Sequence, residues 1–105
     1  ATQAFQALRI ECNQELHNLE TFLKKIHQFM NYQGCLAILS FHSLEDRIVK
    51  NYFKNNKLTK KGLFHNYQNW GYEIITKKPI IASKSEIENN PRSRSAKLRV
   101  GRFLN

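Results

Sequence analysis

Cys35 to Lys50 reads CLAILSFHSLEDRIVK, and the way this stretch divides decides the fold. From Cys35 to Phe41 every residue but Ser40 is apolar, and the run does not alternate. A short, continuous apolar run predicts a strand buried on both faces, as in a parallel sheet. From Leu44 the period changes. Leu44, Ile48, Val49, Tyr52 and Phe53 recur at helical spacing, with Arg47, Lys50, Asn51 and Lys54 on the opposite side. The stretch therefore hands a strand to a helix.

At the junction, Ser40 to Arg47 (SFHSLEDR) holds a histidine, two serines, two carboxylates and a guanidinium. A Ser-His-Asp triad needs its members to converge in space, usually from separate elements. Neighbouring residues entering a helix diverge instead. Ser43-Leu44-Glu45-Asp46 fits the S-x-x-[DE] capping pattern, with Ser43 accepting from first-turn amides and Asp46 reaching back. Both acids also suit the positive end of the helix dipole. Capping thus accounts for Ser43 and Asp46. Position keeps a second role open, because ligands of open α/β sheets bind beyond the carboxyl ends of the strands. Ser40, Phe41, His42 and Ser43 fall there.

Upstream, Phe5 to Met30 contains no Gly or Pro. Phe5, Leu8, Cys12, Leu16, Leu19, Phe22 or Leu23, Ile26 and Phe29 or Met30 form the apolar stripe of one long amphipathic helix, which Gly34 ends. Downstream, Lys54 to Gly62 is a polar, basic break and Tyr72 to Thr76 is β-prone. Lys77-Lys78-Pro79 interrupts, and Ser83 to Glu88 fits a short helix with a capping box. After Pro91, Ala96, Leu98 and Val100 alternate with Lys97, Arg99 and Gly101, predicting a last strand with one apolar and one basic face. The order helix-strand-helix-strand-strand indicates an α/β layer structure.

The 105 residues are one small domain or a piece of a larger one. At 41% hydrophobic, the chain is too apolar for disorder. Seventeen Lys and Arg against eight Asp and Glu give a net charge of +9, which suits RNA or DNA ahead of an anionic membrane. The same surplus also suits a chain that is merely kept soluble, so its distribution has to decide. Eight of the seventeen cations follow Ile75. In NPRSRSAKLR, Asn90 to Arg99, the groups of Arg92, Arg94, Lys97 and Arg99 alternate with small hydroxyls suited to phosphate oxygens. Cys12 and Cys35 sit in apolar patterns without a C-x-x-C, so they read as reduced, buried thiols in a cytosolic protein. His17 and His27 lack an i+4 partner, and no metal site is indicated. His65 sits among Phe64, Tyr67 and Trp70, which either stack on bases or pack on the core. No glycine-rich phosphate loop and no membrane span occur.

FQALRIECNQEL (Phe5–Leu16), SFHSLEDRIVK (Ser40–Lys50), TKKPI (Thr76–Ile80) and NPRSRSAKLR (Asn90–Arg99) together resemble the C-terminal third of the bacterial 16S rRNA cytosine-N4 methyltransferase family, known as MraW. Asn55 to Gly71 carries no clear signature, and Gln3 and Gln33 stand where the family usually has Arg and Gly. The resemblance implies the C-terminal part of a Rossmann-like class I fold using S-adenosylmethionine, with residues 1–105 lacking the cofactor-binding half. It implies a cytoplasmic enzyme acting on 16S rRNA or the small ribosomal subunit, and a chain inactive alone. Ser40, Phe41 and Ser43 would border the pocket, with His42 the candidate catalytic base. Arg92, Arg94, Lys97 and Arg99 would hold RNA phosphates, extended by Lys77 and Lys78. Two other readings are a non-catalytic basic RNA-binding module and a fragment whose basic face only confers solubility. Apolar faces without a partner layer predict exposed hydrophobic area and self-association.

Overall fold

A computed structural model describes residues 15–59 and 68–105. Helix α1 spans Glu15–Lys25 and continues as a 3-10 turn, Ile26–Phe29. Strand β1 spans Cys35–Ser40 and helix α2 Ser43–Asn55. Then follow β2 (Gly71–Ile74), β3 (Ile80–Ile81), the short α3 (Lys84–Asn89), a 3-10 turn (Pro91–Ser95) and β4 (Lys97–Leu104). The predicted strand–helix junction is thus observed, and Ser83 caps α3 by accepting from the Glu86 amide at 3.3 Å.

The sheet is antiparallel where the apolar run of β1 predicted parallel neighbours. Strand order is β1-β4-β2, with β3 also paired to β4. The long β4 runs back beside β1, pairing Leu36 with Gly101, Ile38 with Arg99 and Ser40 with Lys97. Burial along β1 alternates between buried and half-buried positions, so helices cover one face more fully than the other. Leu36 and Ile38 face a core built with Leu19 and Leu23 of α1, Val49 and Phe53 of α2, Tyr72 and Phe103. Around it Tyr52, Phe53, Trp70, Tyr72 and Phe103 pack mostly edge-to-face, with ring centroids between 5.2 and 6.1 Å apart. That geometry favours the ring quadrupoles.

Gly101 belongs where it is because of this packing. A Cβ there would meet Phe53 Cε1 at 2.6 Å, so only glycine lets the aromatic ring lie on the strand.

Three local expectations shift, and one lies outside the described residues. The α-helix is described only from Glu15, and Phe5 to Gln14 lie outside the described residues, as does Cys12. At Ile26 the tighter winding moves the period from 3.6 toward 3.0 residues. The stripe rotates, so Met30 packs on the core while Phe29 is exposed. Leu44, expected inside, is exposed, because the inward stripe of α2 runs through Glu45, Asp46, Val49 and Phe53. Cys35 is a free, exposed thiol rather than a buried one, since it opens β1 opposite the exposed Arg102.

Among the described residues, Ile75, Ile80 and Ile81 are exposed, whereas Leu19, Leu23, Leu36 and Ile38 of the first helix and strand are buried. No helix among them is long and apolar enough to cross a membrane.

Candidate functional site

Helix α2 begins one residue sooner than the S-x-x-D pattern placed it. His42 takes the cap position with an extended backbone, and Ser43 is already helical. The returning carboxylate is Glu45: its Oε1 accepts from the amides of Phe41 at 3.1 Å and His42 at 3.0 Å. Ser43 and Asp46 are therefore not the capping pair. Glu45 stands three residues beyond His42, the spacing at which a carboxylate reaches the cap amide.

This frees Asp46 for a different partner. Arg99 Nε donates to Asp46 Oδ1 at 2.7 Å and its Nη2 to Oδ2 at 3.1 Å. The two side chains are only 10% and 11% exposed. A planar guanidinium matches both carboxylate oxygens at once, the strongest form of charged hydrogen bond. Arg99 holds the Asp46 carboxyl below its usual value, first through this bond, against the opposing effect of burial. The pair ties the first turn of α2 to the middle of β4. Arg99 thus faces the helix, and at its position the strand face expected to be wet and basic is covered.

The junction and the basic segment nevertheless meet. Ser40 pairs with Lys97 across β1 and β4, and the buried Ser40 Oγ donates to the Lys97 carbonyl at 3.4 Å. The end of β1, with the half-buried Phe41 and the exposed His42 and Ser43, therefore lies beside the start of β4. The turn carrying Arg92 and Arg94 leads directly into that start. Both arginines are exposed. The serines between them are engaged by the turn itself: Ser93 Oγ donates to the Asn90 carbonyl at 2.7 Å and Ser95 Oγ to that of Arg92 at 3.5 Å. Asn90 Oδ1 accepts from the Arg92 amide at 3.3 Å. Pro91 suits the first position of this turn because its missing N–H would have no helical acceptor. The hydroxyls shape the turn, leaving the arginine forks as its outward chemistry.

Lys97 is 42% exposed, with its Nζ 4.0 Å from Asp46 Oδ2. Lys77 and Lys78 are exposed on the excursion between β2 and β3. That excursion is pinned at its start, where the Ile75 and Thr76 amides donate to the Val100 carbonyl and the Val100 amide donates to Thr76 Oγ1. So Arg92, Arg94, Lys97, Lys77 and Lys78 keep cationic groups in solvent, and Arg99 does not. His65 lies outside the described residues. Trp70, its aromatic neighbour in sequence, is half-buried against the core and stacks on His27 with centroids 4.3 Å apart.

The amides at the β1–α2 junction, where a ligand would meet backbone donors, are occupied by Glu45, and no glycine-rich turn follows β1.

Comparison with known proteins agrees with the motifs. The MraW methylase family profile matches residues 1–104. Over 104 residues the chain is 50% identical to the ribosomal RNA small subunit methyltransferase H of Petrotoga mobilis, covering 99% of this chain and 32% of that protein. The protein of the same name from Nostoc sp. is 52% identical over 95% of this chain and 29% of its own length. That from Leptospira interrogans is 51% identical over 95% and 27%. The chain spans about a third of the length of these relatives and corresponds to their C-terminal part. By the profile match over residues 1–104 and these identities, the chain belongs to the MraW methylase family.

Proposed function

We propose that this chain is the C-terminal portion of an S-adenosylmethionine-dependent rRNA methyltransferase acting on the N4 amine of a cytidine in 16S rRNA. Its own part is to position the RNA. One observation carries this reading: the Ser40–Lys97 pairing gathers His42 and the exposed cations of the 92–97 segment at one end of the sheet. Phosphate contacts of that kind fix register and orientation without reading sequence. A base to be methylated must also leave its stack, and anchoring the flanking backbone holds it in the extruded position. Methylation of an exocyclic amine leaves a proton to be removed, and the exposed His42 imidazole is the group we assign to accept it. Ser40, Phe41 and Ser43 border that position.

The donor is bound by residues beyond this chain, consistent with relatives three times its length and with a junction whose amides Glu45 already occupies. We further propose that the sheet is one end of a Rossmann-like class I sheet. Among the described residues β1 is an edge strand, and an edge carrying buried Leu36 and Ile38 suits continuation by further strands. A cytoplasmic location follows from an rRNA substrate.

The test is methyl transfer to 16S rRNA by the whole protein, with nucleoside mass spectrometry of the product. N4-methylcytidine is expected, with a raised KM for RNA and an unchanged kcat in Arg92→Gln/Arg94→Gln. A product methylated elsewhere, or none, refutes the reading. The 105-residue chain alone is expected to bind RNA without methylating it. Transfer by the chain alone would overturn the assignment of the donor site to other residues.

A further inference from the structure

Helix α2 and the β2–β3 excursion enclose a groove of about 420 Å³. Lys50, Lys54, Lys57 and Lys77 rim it, and Phe53 and Ile74 form its apolar floor. All four lysines are exposed, and among the described residues none lies within ion-pair distance of a carboxylate. Arg99 also reaches the groove, but Asp46 neutralises it. The groove thus gathers four lysine charges outside ion-pair distance of any carboxylate among the described residues, with Asp46 acting on Lys50 only at longer range.

A solvated helix face explains this poorly. Lys50 and Lys54 stand four apart on α2, a spacing at which like charges repel, and Lys57 follows just past the helix end. The helix dipole welcomes a cation in the last turn, which accounts for Lys54. It does not account for Lys77, which arrives from the sheet side and adds to the repulsion. A bound polyanion would relieve all of these contacts together.

We infer that this groove docks phosphate groups of an RNA backbone, as a second anchoring point besides the Arg92–Lys97 segment. The inference rests on the RNA-positioning role proposed above. The apolar floor gives a ribose or base edge a surface beside the phosphates. Lysine, a point charge on a flexible stem, follows a backbone of variable geometry.

The experiment measures binding of a fluorescent single-stranded RNA to the 105-residue chain across a salt series, for the wild type, Lys50→Gln/Lys54→Gln and Arg92→Gln/Arg94→Gln. Each lost phosphate contact lowers the slope of log K against log salt by about 0.7 for a single strand. Two lost contacts therefore lower it by about 1.4, a loss of ~25-fold in affinity at 0.1 M salt. Circular dichroism checks that the lysine variant folds. If it does not, Lys77→Gln, outside the helix, should still lower the slope by about 0.7. An amide shift at Lys77 on adding RNA, absent in the Lys50/Lys54 variant, would mark direct contact. An unchanged slope in the lysine variants alongside a reduced one in Arg92→Gln/Arg94→Gln overturns the groove and leaves the RNA reading standing. Unchanged slopes in every variant refute both. Displacement of the RNA by an equimolar amount of inorganic pyrophosphate would assign the groove to free phosphates and overturn it as a polynucleotide site.

Discussion

Replacing Asp46 by Asn keeps the size of the side chain and removes its charge. In the native chain the carboxylate takes two hydrogen bonds from Arg99, at 2.7 and 3.1 Å, and both side chains are about nine-tenths covered. Removing one partner of a buried pair leaves the other charge buried and unpaired, which costs about 3–5 kcal/mol. Lys97, 4.0 Å away and 42% exposed, adds a second cation whose carboxylate is gone but keeps solvent access. About 3 kcal/mol is therefore expected. With an unfolding entropy of about 2.1 cal/mol/K per residue, 105 residues convert this to a fall in Tm of ~14 °C. Equilibrium urea unfolding at pH 7, followed by the fluorescence of Trp70, gives the free energy directly. A loss below about 1 kcal/mol would be that of a surface ion pair and would refute the buried tie between α2 and β4. Because the Asp46 carboxyl titrates below its ordinary value of 3.8 in the folded chain, its contribution is complete above that value. It is lost as pH falls through the lower folded value. Wild-type stability should therefore drop over that acid range more steeply than that of Asp46→Asn. An apolar replacement of both partners, Asp46→Leu with Arg99→Met, should recover much of the loss.

Glu45→Ala leaves the Phe41 and His42 amides without their acceptor and should cost about 1 kcal/mol in the same unfolding assay. Glu45→Gln should recover part of it, because an amide oxygen still accepts. Gly101→Ala sets a Cβ 2.6 Å from Phe53 Cε1 and 3.3 Å from Tyr72 Cβ. With Phe53 and Tyr72 both buried, the ring has nowhere to go, and a loss of about 1–3 kcal/mol is expected; a neutral result would show that the core yields there. The Tyr52 and Tyr72 hydroxyls share a hydrogen bond of 2.8 Å, and burial pushes both upward, Tyr72 to about 12 from an ordinary 10.0. A raised folded value stabilises fully below the unfolded one. Stability should therefore fall as pH rises from about 10 toward 12, an effect readable by urea unfolding across that range and diminished in Tyr72→Phe.

The elements were legible in the sequence because their signals are local. The period of Leu19, Leu23 and Ile26, the apolar run of β1 and the Ser83 cap each need only neighbouring residues. The pairing of the strands is not local. β1 and β4 meet across residues 57 apart, Ser40 against Lys97, and an apolar run is equally compatible with parallel and antiparallel neighbours. That one contact decides the rest of the site. Once β4 lies beside β1 with Ile38 opposite Arg99, alternation puts Lys97, Arg99 and Gly101 on the helix side, where Arg99 is covered and Lys97 still reaches solvent. Arg99 must then find a carboxylate, because an unpaired guanidinium cannot stay covered. Asp46 is that carboxylate, and Glu45 is left to close the cap. SFHSLEDR therefore divides by partner: Glu45 serves its own helix and Asp46 serves a strand about fifty residues on. The lysine groove escaped the sequence for the same reason, since Lys77 joins Lys50 and Lys54 only when β2 and α2 are packed side by side. A single hint was present. Lys50 and Lys54, four apart on one helix face, repel each other, and an anion would offset that repulsion.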